Sequence, residues 1–316
     1  AGWWRERKAR WLALGFASEV GRLDGSAGAR AMTTPARSDP ASDAQTAAAE
    51  VALGHPLTAA EFQATWYQAP TAGLATGKSI FDPVLCELVL RWFVPPGGAV
   101  LDPFAGGSVR GLMAVMLGHP YSGCDLAAAQ VAANDQQAAD FAARGLLPGS
   151  EAPPRWACAD AADWVLGLAP GSADLVFTCP PYYGLERYSD NPHDLSAMAP
   201  HAFDAAYGGI IAGAARALRP DRFAVIVTGD VRDKRGTLAD LRGVTITAAA
   251  SAGLGYVTGG VLLTAIGSLP FAAARAFTGT RTLLRAHQDV LVFCKGDRRA
   301  AAQACGDVVV ELPPEA

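Results

Sequence analysis

The chain has 316 residues, 51% of them hydrophobic and 18% charged, with a formal net charge of −4. That length supports a sizeable core, and the composition excludes a disordered chain or a small disulfide scaffold. An acidic protein is no indiscriminate polycation for nucleic acid, and no run of about 18 apolar residues escapes polar interruption, so no membrane span is expected.

In chain order, residues 3–23 predict a basic amphipathic helix, because Trp4, Trp11, Leu12, Phe16 and Val20 recur at helical spacing. Its two readings are a helix packed on the main domain and an arm that touches nucleic acid. The start, "AGWWRERKAR", has no apolar signal core behind it and reads as no secretion signal. Residues 24–50 are Ala, Ser, Gly, Thr, Pro and Asp and read as a mobile linker. Residues 51–316 read as one α/β domain. "AVLDPF" is a short strand running into the glycines of "AGGSVRG", and "VRGLMAVMLG" is the helix behind it. "YSGCDL" is a second strand, followed by the long helix "AAAQVAANDQQAADFAARGL". "RWACAD" and "DLVFTCPP" are strands three and four, "PHAFDAAYGGIIAGAARAL" is a helix and "RPDRFAVIVTGD" a fifth strand. A helix near 238–253 and the strands "YVTGGVLLT" and "HQDVLVFCKGD" complete the pattern, with a long connection over 265–286. Alternating strands and helices predict a mostly parallel sheet covered on both faces, and the two last strands an antiparallel terminal hairpin at its edge.

Six cysteines, Cys86, Cys124, Cys158, Cys179, Cys294 and Cys305, are scattered without a C-x-x-C pair or a His cluster. They read as reduced thiols of a cytoplasmic protein, with no metal site. Three acids, Asp102, Asp125 and Asp160, each end one of the first three strands. Taken singly, such an acid is most often a cap or turn residue. Three of them at successive carboxyl ends, beside the glycine turn of Gly106 and Gly107, point to one crevice. The turn lacks the G-x-G-x-x-G fingerprint of dinucleotide enzymes. Asp102, beside Pro103, could meet a cationic amino group, Asp125 a ribose, and Asp160 an adenine amino group.

"LDPFAGGSVRG" taken with "TCPPYY" resembles the S-adenosylmethionine-dependent methyltransferases of DNA exocyclic amino groups, which carry a D-P-F-x-G-x-G turn and a (D/N/S)-P-P-(Y/F/W) corner. The resemblance covers about residues 79–297, and its arrangement is similar to methylases of phages and prophages, where restriction-modification or genome protection is the setting. It implies a Rossmann-like methyltransferase sheet, S-adenosyl-L-methionine as cofactor and DNA as partner, with oligomeric state open. "SIFDPVLCELVLRWFVPPGG" resembles the helix that covers the methionine end of that cofactor. On the resemblance, Phe81, Asp82 and Pro83 line the cofactor pocket together with Asp102, Pro103, Phe104, Ala105, Gly106, Gly107, Asp125, Leu126, Asp160 and Ala161.

The corner itself is Cys179, Pro180, Pro181 and Tyr182. Neither proline has an N–H, and both φ angles are fixed. The Pro180 carbonyl and the side chain at 179 would accept from the target amino group, favouring its nucleophilic form, and Tyr182 would stack on the extruded base. Cys179 departs from the resemblance, which has Asp, Asn or Ser there. It reads as a stand-in for Ser, as a nucleophile for methylation at cytosine C5, or as an unreactive packed thiol. The following loop offers Tyr183, Glu186, Arg187 and Tyr188 beside the base, or is an ordinary solvated loop. Residues 216–299 carry an excess of about seven positive charges. Within them Arg232, Lys234, Arg235, Arg275, Arg281 and Arg285 are candidates for phosphate contact. The competing readings are methylation of RNA or protein, and a cofactor-binding module without catalysis.

Overall fold

Runs such as "LVF" in "ADLVFT" and "FAVIV" in "FAVIVT" are continuously apolar, which is the pattern of a strand buried on both faces. The computed structural model bears this out. It describes residues 2–16, 80–148, 152–181, 191, 193–229, 231–232, 237–263, 269–283, 285 and 287–308. Strands β1 (Val100–Asp102), β2 (Tyr121–Asp125), β3 (Arg155–Cys158), β4 (Ala173–Thr178), β5 (Leu218–Gly229), β8 (Gly255–Leu263) and β9 (His287–Lys295) form one seven-stranded sheet. Its order is β3-β2-β1-β4-β5-β9-β8. The first five strands pair in parallel, whereas β9 runs antiparallel to β5 and lies between it and β8. The expected α/β class holds, with the last strand inside the edge. A separate two-stranded pair, β6 (Val231–Arg232) with β7 (Leu238–Ala239), was not expected.

Helices α1 (Gly2–Ala13), α2 (Pro83–Phe93), α3 (Val109–Met116), α4 (Ala128–Ala143), α5 (Ala161–Gly167), α6 (Pro200–Ala217) and α7 (Leu241–Ser251) belong to the same unit as the sheet, as does α9 (Arg298–Cys305). Alternate residues of each central strand enter opposite cores. Phe223, Val225 and Val227 of β5 join the core with α2, α3 and α4, while Ala224 and Ile226 join the core with α6 and α7. The period of two places the two cores on the two faces of one sheet.

The structure divides the chain into two units. One is Ala1–Ser26, Ile80–Leu262 and Gln288–Ala316, and the other is Ala27–Ser79 with Leu263–His287. The second contains α8 (Leu269–Thr280), in a stretch expected to be a connection. It ends at Arg281, whose φ is 56° and whose guanidinium lies 5.2 Å from the Phe277 ring centre. The linker expected over 24–50 falls outside the described residues. No helix among the described residues is long and apolar enough to cross a membrane.

Helix α1 packs on α2, through side chains that the sequence marks as basic and aromatic. Glu87, buried on α2, accepts from Arg7 Nε at 2.6 Å, Arg7 Nη2 at 2.5 Å, Trp11 Nε1 at 2.7 Å and Arg91 Nε at 2.9 Å. Asp82 caps α2 by accepting from Val84 N–H and Leu85 N–H, and takes Lys8 Nζ at 2.9 Å and Trp4 Nε1 at 3.3 Å. Of the two readings for this helix, packing is the one observed.

Candidate active site

In sheets of this kind ligands sit at the carboxyl ends of strands, where the strand order reverses. That point lies between β1 and β4, since β1 has β2 on its other side. Two sequence features meet there: the turn 102–108 leaves β1, and the Pro-Pro corner leaves β4.

The turn is held from several sides. Ala105 N–H donates to the Cys124 carbonyl, and Gly106 N–H to Asp125 Oδ2 at 3.0 Å. Asn134 Nδ2 donates to the Gly106 carbonyl at 2.8 Å, and Ser108 bonds to Gln137. Gln130, Asn134 and Gln137 form a buried polar stripe on α4, and Gln130 Nε2 donates to Asn134 Oδ1 at 2.9 Å. Their i, i+4, i+7 spacing is visible in the sequence, which was read only as a helix. Gly106 has φ +51°, and among the described residues beyond its chain neighbours no atom lies within 4 Å of where a Cβ would lie. Its backbone polar groups are both bonded, while one side of it is open.

Asp102 sits at the centre of the site and is 0% exposed. Arg110 Nε donates to its Oδ2 at 2.6 Å and the Tyr121 hydroxyl to the same oxygen at 2.8 Å. The Thr178 hydroxyl donates to Oδ1 at 2.6 Å, and Phe104 N–H to Oδ1 at 3.2 Å. With four donors and no exposure, this carboxylate is an internal anchor. Turning it outward would strand Arg110 in the interior. Arg110 also donates from Nη2 to the Phe104 and Ala105 carbonyls, and its guanidinium lies 4.5 Å from the Phe81 ring centre. Burial, the largest single influence, opposes its charge, but Asp102 together with its other neighbours outweighs burial and holds it more firmly protonated than an ordinary arginine. Burial, reinforced by Asp102, pushes the Tyr121 hydroxyl well above its ordinary pKa, so it stays a donor.

Other expected residues find mixed roles. Phe81 is half-buried and packs edge-on to Phe177, with ring centres 5.6 Å apart. Pro83 begins α2 and is buried, and the Asp82 carboxylate is occupied as the cap described above. Pro103 and Ala105 are buried, and Phe104 stacks on Tyr207 at 5.9 Å. Asp125 is half-buried and also accepts from Ala127 N–H at 2.8 Å. Leu126 and Ala161 are half-buried beside it and beside Asp160. Asp160 caps α5, accepting from Ala162 N–H at 2.9 Å, and its Oδ2 lies 2.6 Å from His193 Nδ1. Cys179 is half-buried, Pro180 buried and Pro181 half-buried. The thiol is within electrostatic reach of Arg110 and Tyr207.

Tyr182, Tyr183, Glu186, Arg187, Tyr188, Lys234 and Arg235 lie outside the described residues. Arg232 is half-buried on β6. Arg275, Arg281 and Arg285 belong to the second unit, where Arg281 and Arg285 are exposed. Nothing in the local sequence marks Arg110, Tyr121 or Thr178 as site residues. Thr228 was missed too: it lies near the carboxyl end of β5, 0% exposed, and its hydroxyl has no partner among the described residues.

No protein-family model matches the chain, and no curated protein matches it in sequence. Among solved structures, a Thermus thermophilus chain named as a candidate DNA modification methylase, complexed with S-adenosyl-L-methionine, is 18% identical with a TM-score of 0.34. That alignment covers 44% of this chain and 54% of the other, about half its length. A Methanosarcina mazei protein named among SAM-dependent methyltransferases is 13% identical over 69% of this chain and 99% of its own, with a TM-score of 0.45. A geranyl diphosphate methyltransferase bound to geranyl diphosphate and sinefungin is 18% identical over 71% and 81%, with a TM-score of 0.47. Likenesses this distant do not bear on the reaction.

Proposed function

We propose that the chain is an S-adenosyl-L-methionine-dependent DNA methyltransferase, acting on the exocyclic amino group of an extruded base, adenine N6 or cytosine N4. One observation carries the reading. The glycine turn and the Pro-Pro corner, far apart in sequence, leave adjacent parallel strands at the point where the strand order reverses, and a hydrogen bond between Thr178 and Asp102 joins them.

The residues present suit such a cofactor. The open side of Gly106 is a cradle that a Cβ would fill, and Asp125 stands at the end of the neighbouring strand, where an acid suits ribose hydroxyls. Phe81 offers a half-exposed ring over the Arg110 guanidinium. When bound, the cofactor supplies an already activated methyl group, so the protein's work is alignment. The Pro180 carbonyl accepts one N–H of the target amino group, drawing its lone pair out of ring conjugation, and the side chain at 179 faces the same group. Tyr182 gives the extruded base a stacking surface, offsetting part of the few kcal/mol of extrusion. Asp160 and Leu126 flank the position for an adenine ring. Arg232, Lys234, Arg235, Arg275, Arg281 and Arg285 serve in this reading as phosphate contacts.

Purified protein incubated with duplex DNA and labelled cofactor, followed by mass analysis of nucleosides, tests it. N6-methyladenine or N4-methylcytosine is expected. Label in RNA or peptide but not DNA would overturn the reading. 5-Methylcytosine, together with a covalent DNA adduct at Cys179, would move the chemistry to that thiol. For the expected reaction, Cys179→Ser retains at least part of the activity.

A further inference from the structure

We propose that Thr178 is a positioning residue that locks the Pro-Pro corner to the glycine turn, so that its hydroxyl sets the distance between target and methyl donor. The inference rests on the methyltransferase reading for its effect on rate, and on geometry alone for the lock. Thr178 is the last residue of β4 and is 0% exposed. Its hydroxyl donates to Asp102 Oδ1 at 2.6 Å, and its oxygen accepts the Phe104 N–H at 3.2 Å. One side chain therefore holds both the strand-end carboxylate and the first free amide of the turn.

Asp102 completes the lock from the other side. Its second oxygen takes Arg110 and Tyr121, and Arg110 reaches on to the carbonyls of Phe104 and Ala105. The turn cannot move against β4 without breaking bonds inside a dry interior, where an unpaired group costs most. Beyond Thr178 the chain has little freedom to absorb a shift. Cys179 precedes a proline and is confined to extended conformations, and Pro180 and Pro181 have fixed φ. A displacement at Thr178 is thus passed to the Pro180 carbonyl almost unchanged. A misplacement of about 1 Å costs on the order of 100-fold in rate.

The test compares Thr178→Val, which keeps shape and loses the hydroxyl, with Thr178→Ser, which keeps the hydroxyl. Two readouts need no ligand: hydrogen exchange of the peptide spanning 103–107, and the alkylation rate of Cys179 followed by peptide mass spectrometry. Both are expected to rise together in Thr178→Val and to return towards native in Thr178→Ser. With cofactor and DNA, Thr178→Val is expected to bind cofactor within about threefold of native, while single-turnover transfer falls roughly 10- to 100-fold and the serine variant recovers most of it. Unchanged exchange and alkylation in a folded valine variant would overturn the lock, whatever the activity. Coupled loosening in a native protein that transfers no methyl to any substrate would support the lock and sink the methyltransferase reading instead.

Discussion

A methyl group added at Gly106 would meet nothing within 4 Å among the described residues, whereas one added at Gly111 would lie 2.5 Å from Trp156 Cζ2 and 2.9 Å from Tyr121 Cε1. The two glycines therefore separate binding from stability. At Gly106 the φ of +51° costs an alanine roughly 1–2 kcal/mol, a loss of a few degrees in Tm. Its Cβ enters the open cradle, so Gly106→Ala is expected to weaken cofactor binding at least about tenfold by calorimetry. Gly111→Ala is expected to lower Tm through overpacking worth about 1–3 kcal/mol, with binding per folded molecule unchanged. Equal binding in Gly106→Ala and native protein would show that the cradle is not the cofactor's. Residue-level legibility follows sequence distance. Gly106, Asp125 and the prolines stand out as a turn, a strand end and a corner because the residues beside each of them mark it. Asp102 was readable as a strand end but not as an anchor. Its partners Arg110, Tyr121 and Thr178 stand 8, 19 and 76 residues away, and only folding shows that they occupy its lone pairs.

Helix α1 shows the same limit one level up. Helical spacing of Trp4 and Trp11 revealed the helix, and its cations suggested an arm for nucleic acid. Arg7 and Lys8 instead answer two acids on α2, which lies 80 and 74 residues further on. Docking helix to helix is the cheaper use of those charges because Glu87 is buried and would otherwise keep Arg91 as its charged partner without Arg7 and Trp11. Glu87→Gln is expected to destabilise by about 2–4 kcal/mol, since Arg7 and Arg91 lose their common partner, with a fall in Tm of roughly 5–10 °C. A Tm within 1–2 °C of native, roughly, would mean that α1 is held by its apolar contacts alone. The helices that escaped notice are α5, α8 and α9, of 7, 12 and 8 residues. Asp160, which announces α5 as its cap, also reads as a ligand acid. The central strands β4 and β5 were legible because burial on both faces leaves them runs of consecutive apolar residues.

Across the whole molecule the charged groups that matter for stability lie at both ends of the sheet. Asp174 is at the amino end of β4, remote from the corner at its other end. It accepts from Ala99 N–H at 3.1 Å, from Arg219 Nη1 at 2.8 and 2.9 Å, and from Arg222 Nε at 3.0 Å. Burial pushes its pKa up, but these donors outweigh burial and hold it below its ordinary 3.8. For Glu87 burial acts the same way, and Arg7, Trp11 and Arg91 hold it below its ordinary 4.5. Each group is more acidic folded than unfolded. Its stabilisation is complete above the unfolded value and disappears as pH falls through the folded one. Stability measured by urea unfolding is therefore expected to be level in this contribution above about pH 5 and to fall steadily below about pH 4. Asp174→Asn should be less stable at neutral pH, because two arginines lose their partner, and should show a shallower acid decline because one titrating group is gone. Glu87→Gln should behave likewise from the other end of the chain. A decline of native steepness in both variants would place the acid sensitivity elsewhere and refute the assignment of these two carboxylates as its source.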